Sequence, residues 1–260
     1  ELKLMVSGAS ALQQRLTRVF AAAGMPIMEG YGLTETSPVT SVSFMEQNGV
    51  RGFRVGTVGR ILKNVEVKIA ENGEILVKGP NVMQGYYKDS KKTAEVIKDG
   101  YFHTGDKGEI DSDGFLKITG RTKEMFKTSG GKYIVPPLLE GDLKQSLFIE
   151  QVMVIGENEK MPAALIQPNF VFIRDWIERK GHKIGTSCEE IASAQIIIDR
   201  VQLEVDQCNE NFGKWEQIKK FEITKEEWTA TSGHLTPTLK MKRKIILEKH
   251  KNLYNKIYNL

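Results

Sequence analysis

Between residues 50 and 120 the chain alternates short apolar stretches with glycine turns, and this pattern constrains the fold most. Residues 65–69 end before Gly73, and residues 74–77 before Gly79 and Pro80. Residues 102–106 and 114–118 continue the rhythm. Short strands at this spacing predict a small barrel or sandwich-like sheet. Such a sheet does not account for 260 residues, of which 40% are hydrophobic and 27% charged. That composition suits a globular chain with a sizeable core.

The flanks read differently. Residues 2–6 form a short apolar strand stopped by Ser7 and Gly8. Residues 11–23 have helical spacing, with Leu12, Leu16 and Phe20 on one face, and Gly24 and Pro26 end the helix. A further strand leads into Gly30-Tyr31-Gly32. Strand, helix, strand predicts the edge of an α/β layer. After Gly120 and Arg121, helices are expected over 138–147, 170–180, 189–211 and 242–258. Strands are expected over 151–155, 163–167 and 218–223. Helices on a small sheet make an α+β unit. The expected fold class is therefore α/β and α+β. A large amino-terminal domain ends in an α/β edge (1–48) and a small β-barrel-like subdomain (49–121). A small α+β carboxy-terminal domain (122–260) follows, with the boundary near Thr122 and Lys123.

Bulk properties exclude several classes. A net charge of +4 is too weak to argue for nucleic acid. Cys188 and Cys208, far apart, give neither a disulfide framework nor a metal knot, so a reducing cytoplasm is the expected location. No Gly-x-Ser-x-Gly element points to a serine hydrolase. The four histidines (His103, His182, His234 and His250) show no metal-ligand spacing. Asp111-Ser112-Asp113-Gly114 resembles the start of a calcium loop but reads as a β-turn, lacking the later ligands.

Four segments carry chemistry. In Tyr31-Gly32-Leu33-Thr34-Glu35-Thr36, glycine permits close backbone approach, Tyr31 offers a flat face to a base, and Thr34 offers a hydroxyl to phosphate. Glu35 is a hard oxygen ligand for Mg²⁺. In Tyr101-Phe102-His103-Thr104-Gly105-Asp106 a carboxylate follows a tight turn, where it can accept from two ribose hydroxyls. In the basic, glycine-bearing stretch 120–132, Arg121 can meet a ribose or phosphate, and Ser129-Gly130-Gly131 adds no bulk. In Leu235-Thr236-Pro237-Thr238-Leu239-Lys240, proline stiffens the approach to a mobile point charge. Taken alone, the first, second and fourth segments read better as a capped glycine turn, a Gly-Asp turn and the basic start of a helix, and the third could be a solvated basic linker.

In this order and spacing they resemble the adenylate-forming superfamily, which includes acyl-CoA synthetases, luciferases and peptide-synthetase adenylation domains. Gly73-Glu74-Ile75-Leu76-Val77-Lys78-Gly79 and Gly85-Tyr86-Tyr87 match further segments of it. The resemblance implies roles. Gly8, Ala9 and Ser10, with Glu29, Gly30, Tyr31 and Gly32, would hold adenine. Thr34 would meet the α-phosphate and Glu35 the Mg²⁺. Asp106 and Arg121 would hold the ribose, and Lys123 would be the hinge. Lys127 would approach the adenylate. Gly130 and Gly131 would line the pantetheine path. Lys240 would be the catalytic lysine.

The implied activity is ATP-dependent activation of an acid through an acyl-adenylate, then transfer to CoA. Leu-Lys at the catalytic lysine, where many members carry Gly-Lys, looks like the long-chain fatty acyl-CoA synthetases, as does the added helical stretch 170–211. Loading of a carrier protein, or a non-catalytic fragment that binds nucleotide or a partner, are the rival readings. Pro136-Pro137-Leu138-Leu139-Glu140 only loosely keeps a family pattern. The chain opens abruptly, without Met, and lacks the family's phosphate loop, so it is expected to be part of an enzyme and inactive alone. Its partners would be fatty acid, ATP and CoA, with no nucleic acid. Its oligomeric state is not legible. The basic helix near the end, with Ile246, His250, Leu253, Tyr254 and Ile257 on one face, would suit an anionic membrane surface or packing on its own domain.

Overall fold

A computed structural model describes residues 4–9, 12–47, 49–122 and 124–260, with Gln47 as backbone alone. Ser10 and Lys123 lie outside the described residues. The chain divides into two compact units, Glu1–Lys123 and Glu124–Leu260.

In the first unit, β1 (Met5–Ser7) runs parallel to β2 (Ile27–Tyr31), with Ser7 beside Glu29, and α1 (Gln14–Ala22) joins them. This is the expected α/β edge. Its helix is oriented differently from expectation. Thr17 is the buried residue, while Leu16 and Val19 are exposed. After a 3₁₀ turn (Thr34–Thr36) come β3 (Ser41–Val42), the β4–β5 hairpin (Phe44–Gln47, Val50–Gly52) and β6 (Arg60–Ile61). Strands β1-β2-β3-β6 make one sheet.

The second sheet comprises β7 (Glu66–Ile69), β8 (Glu74–Lys78), β9 (Ile97–Lys98), β10 (Tyr101–Ile110) and β11 (Leu116–Arg121), with α2 (Ser90–Val96) before β9. Its order is β11-β10-β8-β7, and β9 also pairs with β10. The glycine-punctuated strands are present, but the expected barrel-like closure is not: β7 and β11 remain edges. The start of β11 is bonded instead to residues 58–60, through Val58 N to Leu116 O (2.8 Å) and Leu116 N to Gly59 O (2.9 Å). A segment leading into the first sheet thus takes the edge that closure would need. Ile75, Val77 and Leu116 form the small core beneath. Asp111 makes the predicted turn, accepting from Asp113 N (3.0 Å) and Phe115 N (2.9 Å).

The second unit begins with the hairpin β12–β13 (Phe126–Lys127, Tyr133–Ile134), then α3 (Pro136–Leu143), β14 (Ile149–Ile155) and β15 (Ala163–Pro168). Next are α4 (Phe170–Lys180), α5 (Cys188–Ser193), α6 (Gln195–Asn209), β16 (Lys220–Ile223), α7 (Arg243–Lys249) and α8 (Lys251–Tyr258). β14 and β15 are antiparallel, while β15 and β16 are parallel. Alternating residues serve two cores. Val152, Val154, Ala164 and Ile166 face a cluster with residues of α3, α4, α5 and α6. Met153, Ile155, Ala163 and Leu165 face Trp228, Leu235, Ile246 and Ile257. A strand buried on both faces must be apolar throughout, which residues 163–166 are.

Two expected helices are each broken in two. Residues 189–211 divide at Ala194, whose extended backbone both ends α5 and opens α6. Ser187 and Glu190 form a capping box that starts α5 one residue earlier, at Cys188. Residues 242–258 divide at His250, which leaves helical geometry at φ −106°, ψ 27°. The apolar face of this pair is packed in the unit's own core, where Ile246, His250 and Ile257 are buried. No described helix is long and apolar enough to cross a membrane.

Candidate functional site

The parallel pairing of β1 and β2 brings Gly8 and Ala9 beside Gly30: a Cβ built on Gly8 would stand 3.7 Å from Gly30 O. This is the carboxyl end of parallel strands, where open α/β sheets bind ligands. Ala9 adopts φ 64°, a left-handed conformation uncommon for alanine. Glu29 is half-buried. Burial raises its carboxyl above the ordinary range, and the Leu12 N–H counteracts this. The two glycines differ in kind. Gly32 is required by packing, because a Cβ there would meet Pro38 O at 1.7 Å. Gly30 has only ordinary neighbours, the nearest being Ser41 O at 3.5 Å. The close backbone approach attributed to both glycines is therefore open to a ligand at Gly30, whereas at Gly32 the protein itself takes the space.

Tyr31 is fixed at both ends. Its carbonyl accepts from Thr40 N (2.7 Å) and its hydroxyl donates to Asp106 Oδ2 (2.8 Å). Burial first, and then the Asp106 charge, push the Tyr31 hydroxyl well above its ordinary pKa. It remains a neutral donor.

Asp106 is aimed by an irregularity in β10. The pairing of β10 with β8 shifts register between His103 and Lys107, and Gly105 adopts φ 72°. Gly105 N donates to Glu74 Oε1 (2.9 Å), and Thr104 Oγ1 donates to Ile75 O (2.7 Å). The bulge turns the Asp106 carboxylate inward, where 3% of the residue is exposed. Arg121 Nε donates to Asp106 Oδ1 at 2.6 Å. Both oxygens therefore have a protein donor. Each keeps a further lone pair, so a ribose would share this carboxylate with Tyr31 and Arg121. His103 has Nδ1 3.2 Å from Glu74 Oε2.

Thr34 is exposed and Glu35 half-buried in the 3₁₀ turn. The turn is held from the segment 79–86. Asn81 Nδ2 donates to Thr36 O and Val39 O, and Met83 N donates to Glu35 O (2.8 Å). Tyr86 donates its hydroxyl to Glu35 Oε1 at 2.8 Å. Tyr86 was not expected in the site. Its tyrosine-after-glycine motif was visible in the sequence, but its partner was not.

The remaining candidates are in the second unit. Lys127, Gly130 and Gly131 share the β12–β13 hairpin, and Lys127 Nζ stands 4.6 Å from the Tyr133 ring centre. Thr128 N donates to Lys132 O (3.0 Å), Gly131 N donates to Thr128 O (2.9 Å), and Gly131 has φ 75°. Lys240 is on a second hairpin of the same design. Thr236 N donates to Lys240 O (2.8 Å), Leu239 N donates to Thr236 O (2.8 Å), and Leu239 has φ 60°. Leucine thus occupies the left-handed position that glycine takes in the first hairpin. The Lys240 side chain is exposed.

Glu140, in the segment that only loosely keeps a family pattern, holds this region together. It is 5% exposed and accepts from Val154 N (2.8 Å) and Arg243 Nη2 (2.5 Å). It ties α3 to β14 and to the start of α7, just after Lys240. Burial raises its carboxyl, and Arg243 works against that rise. The fold also gathers His234, His250 and Glu226, contrary to the expectation that the histidines are too scattered to hold a metal. Chain spacing hides this because the three come from separate loops and a helix junction.

Residues 1–87 match the family described as AMP-binding enzyme, and residues 124–260 match the AMP-binding enzyme C-terminal domain. The chain belongs to the AMP-binding enzymes. It is 38% identical over 254 residues to the long-chain-fatty-acid–CoA ligase FadD15 of Mycobacterium bovis, covering 98% of this chain and 42% of that ligase. The chain thus spans about two fifths of that relative's length. It is similar in fold to the adenylation domain of a Mycobacterium chelonae carboxylate reductase (TM-score 0.74, 19% identity, 98% of this chain and 38% of that one). It is also similar to the Bacillus subtilis O-succinylbenzoate CoA synthetase in complex with ATP and magnesium ion (TM-score 0.64, 23% identity, 86% and 43%).

Proposed function

We propose that the chain supplies the carboxy-terminal part of an AMP-forming ligase that joins a long-chain fatty acid to CoA. The observation that carries this reading is the meeting of Gly30, Tyr31 and Asp106 at the carboxyl end of a parallel strand pair, in a chain with 38% identity to a ligase of that description. In the first step an oxygen of the fatty acid carboxylate attacks the α-phosphorus of ATP. The bond to the bridging β-phosphate oxygen breaks, and pyrophosphate leaves. In the second step the CoA thiol, losing its proton, attacks the acyl carbon and AMP departs.

The protein's contribution is positioning and charge stabilisation. Gly8, Ala9, Ser10, Glu29, Gly30, Tyr31 and Gly32 would form the adenine side, with Gly32 shaping the turn. Asp106, braced by Tyr31 and Arg121, would take the ribose hydroxyls. Thr34 would donate to the α-phosphate. Glu35 suits Mg²⁺: it is a half-buried hard oxygen ligand with one oxygen steadied by Tyr86. Bound there, Mg²⁺ would offset the charge of the phosphates. Lys240 would stabilise the reacting carboxylate and the charge developing on phosphate. Lys127 would approach the adenylate, Gly130 and Gly131 would line the path of the CoA arm, and Lys123 would be the pivot between the steps. An exposed lysine at a hairpin tip suits a charge that must reach a moving group.

The test is thioester formation by the full-length enzyme across acid lengths. The reading expects consumption of free CoA with the best rate on long chains. Acceptance of a carrier protein alone would replace CoA as the acceptor, and a short-acid preference would overturn the chain-length assignment.

A further inference from the structure

The second unit contains a cluster that the proposed chemistry does not use. Glu226 follows β16, His234 precedes the Lys240 hairpin, and His250 joins α7 to α8. Glu226 Oε1 stands 3.6 Å from His234 Nε2 and 3.7 Å from His250 Nε2. One ligand atom from each residue lies within 4.8 Å of the others. Both imidazoles are buried, at 0% and 5% exposure, and the carboxylate reaches solvent. Neither Nε2 has a hydrogen-bond partner. A buried atom left unsatisfied is costly, so two aimed at one carboxylate require a reason.

The surroundings favour a metal over a proton. Ser232 Oγ is 2.7 Å from His234 Nδ1 and 3.2 Å from Thr229 O. If Ser232 gives its own proton to that carbonyl, it accepts from His234 Nδ1–H and the Nε2 lone pair is bare. This is the outer-shell arrangement of metal-binding histidines. Trp228 walls the site, with its ring centre 6.1 Å from that of His234 and 5.9 Å from that of His250.

We propose that Glu226, His234 and His250 bind one zinc-type divalent ion through two Nε2 atoms and a carboxylate oxygen, with a fourth position open towards solvent. Zn–N and Zn–O bonds of about 2.0–2.2 Å in a tetrahedron put ligand atoms roughly 3.3–3.5 Å apart. The two separations from Glu226 need to close by only tenths of an ångström, and the third, within 4.8 Å, must shorten as the ion binds. The role is structural. Lys242 N donates to His234 O (2.8 Å), and Leu235 pairs with Met241 across the base of the Lys240 hairpin. The ion would tie β16, the hairpin base and the α7–α8 junction into one support. The site stands independently of the ligase reading.

The experiment titrates the chelator-stripped 260-residue chain with Zn²⁺, and in parallel with Co²⁺ as the spectroscopic probe. One equivalent should bind, and Co²⁺ should give the intense visible bands of a four-coordinate ion. A hundredfold excess of Zn²⁺ over its Kd should raise the unfolding midpoint by about 5–10 °C. Glu226→Gln, half-exposed and harmless to the core, should abolish the stoichiometric signal. Ser232→Ala should weaken Zn²⁺ about 10–100-fold through the lost outer-shell contact. His182→Asn should change nothing. Failure of the wild-type chain to bind one equivalent, a six-coordinate cobalt spectrum, or undiminished binding by Glu226→Gln would each overturn the site.

Discussion

The hydroxyl of Tyr31 donates to Asp106 Oδ2 at 2.8 Å, joining the end of β2 to the bulge of β10 across 75 positions of chain. Asp106 is nearly inaccessible to water, so this bond and the one from Arg121 carry most of its compensation. Tyr31→Phe keeps the ring and removes one donor from a charged acceptor. Urea unfolding should show a loss of about 1.5–3 kcal/mol. A loss below about 0.5 kcal/mol would mean that Asp106 does not depend on Tyr31.

Gly30 and Gly32 should respond oppositely to the same methyl group. Gly32→Ala drives a Cβ into Pro38 O and should destabilise the chain by roughly 3 kcal/mol. Gly30→Ala meets no such obstacle and should leave the unfolding midpoint unchanged or slightly higher. Its effect should appear in AMP affinity, measured by calorimetry on the full-length enzyme. Unaltered AMP affinity would remove Gly30 from the adenine side.

Leu239 adopts φ 60° at the place where Gly131 adopts φ 75° in the matching hairpin. A left-handed leucine costs roughly 1–2 kcal/mol that glycine does not. Leu239→Gly should therefore stabilise the second unit by about 1 kcal/mol, and Gly131→Ala should destabilise it by a similar amount. Leu239→Ala keeps the strain and should gain nothing. Equal gains from glycine and alanine would point to the exposed leucine side chain rather than the backbone.

Arg243 sets the pH dependence of the buried Glu140. Burial already raises the Glu140 carboxyl above 4.5, and Arg243 opposes the rise. Arg243→Ala removes the opposing cation, so the folded pKa climbs further. A carboxyl with a raised folded pKa favours the fold below its unfolded pKa and loses that contribution as pH rises through the folded one. Wild type and variant should thus be most alike near pH 4 and diverge towards neutrality, by about 3 kcal/mol. Chemical denaturation across pH checks this. A difference that shrinks with rising pH would contradict it.

Local punctuation made much of the fold legible. Helix α4 was read at its observed ends because Asn169 caps its start and Gly181 takes the left-handed position after it. The extended residue Ala194 and the break at His250 carry no glycine or proline, so two helices each read as one. Closure of the second sheet depended on which segment reached the edge of β11, a long-range pairing with no local signature. Of the candidate site, Tyr31, Glu35 and Asp106 were visible as motifs. The contacts that give Tyr86, Glu140 and the histidine pair their roles were not, since each partner is distant in sequence.

Lys240 is proposed to stabilise the charge that develops as ATP activates the acid. Fatty-acid-dependent ATP–pyrophosphate exchange by the full-length enzyme, compared between wild type and Lys240→Ala, tests it most directly. Wild type should exchange, and the variant should lose about 10²–10³-fold, the usual range for removing one stabilising donor. Exchange by Lys240→Ala at the wild-type rate, or none by wild type with any fatty acid, would contradict it.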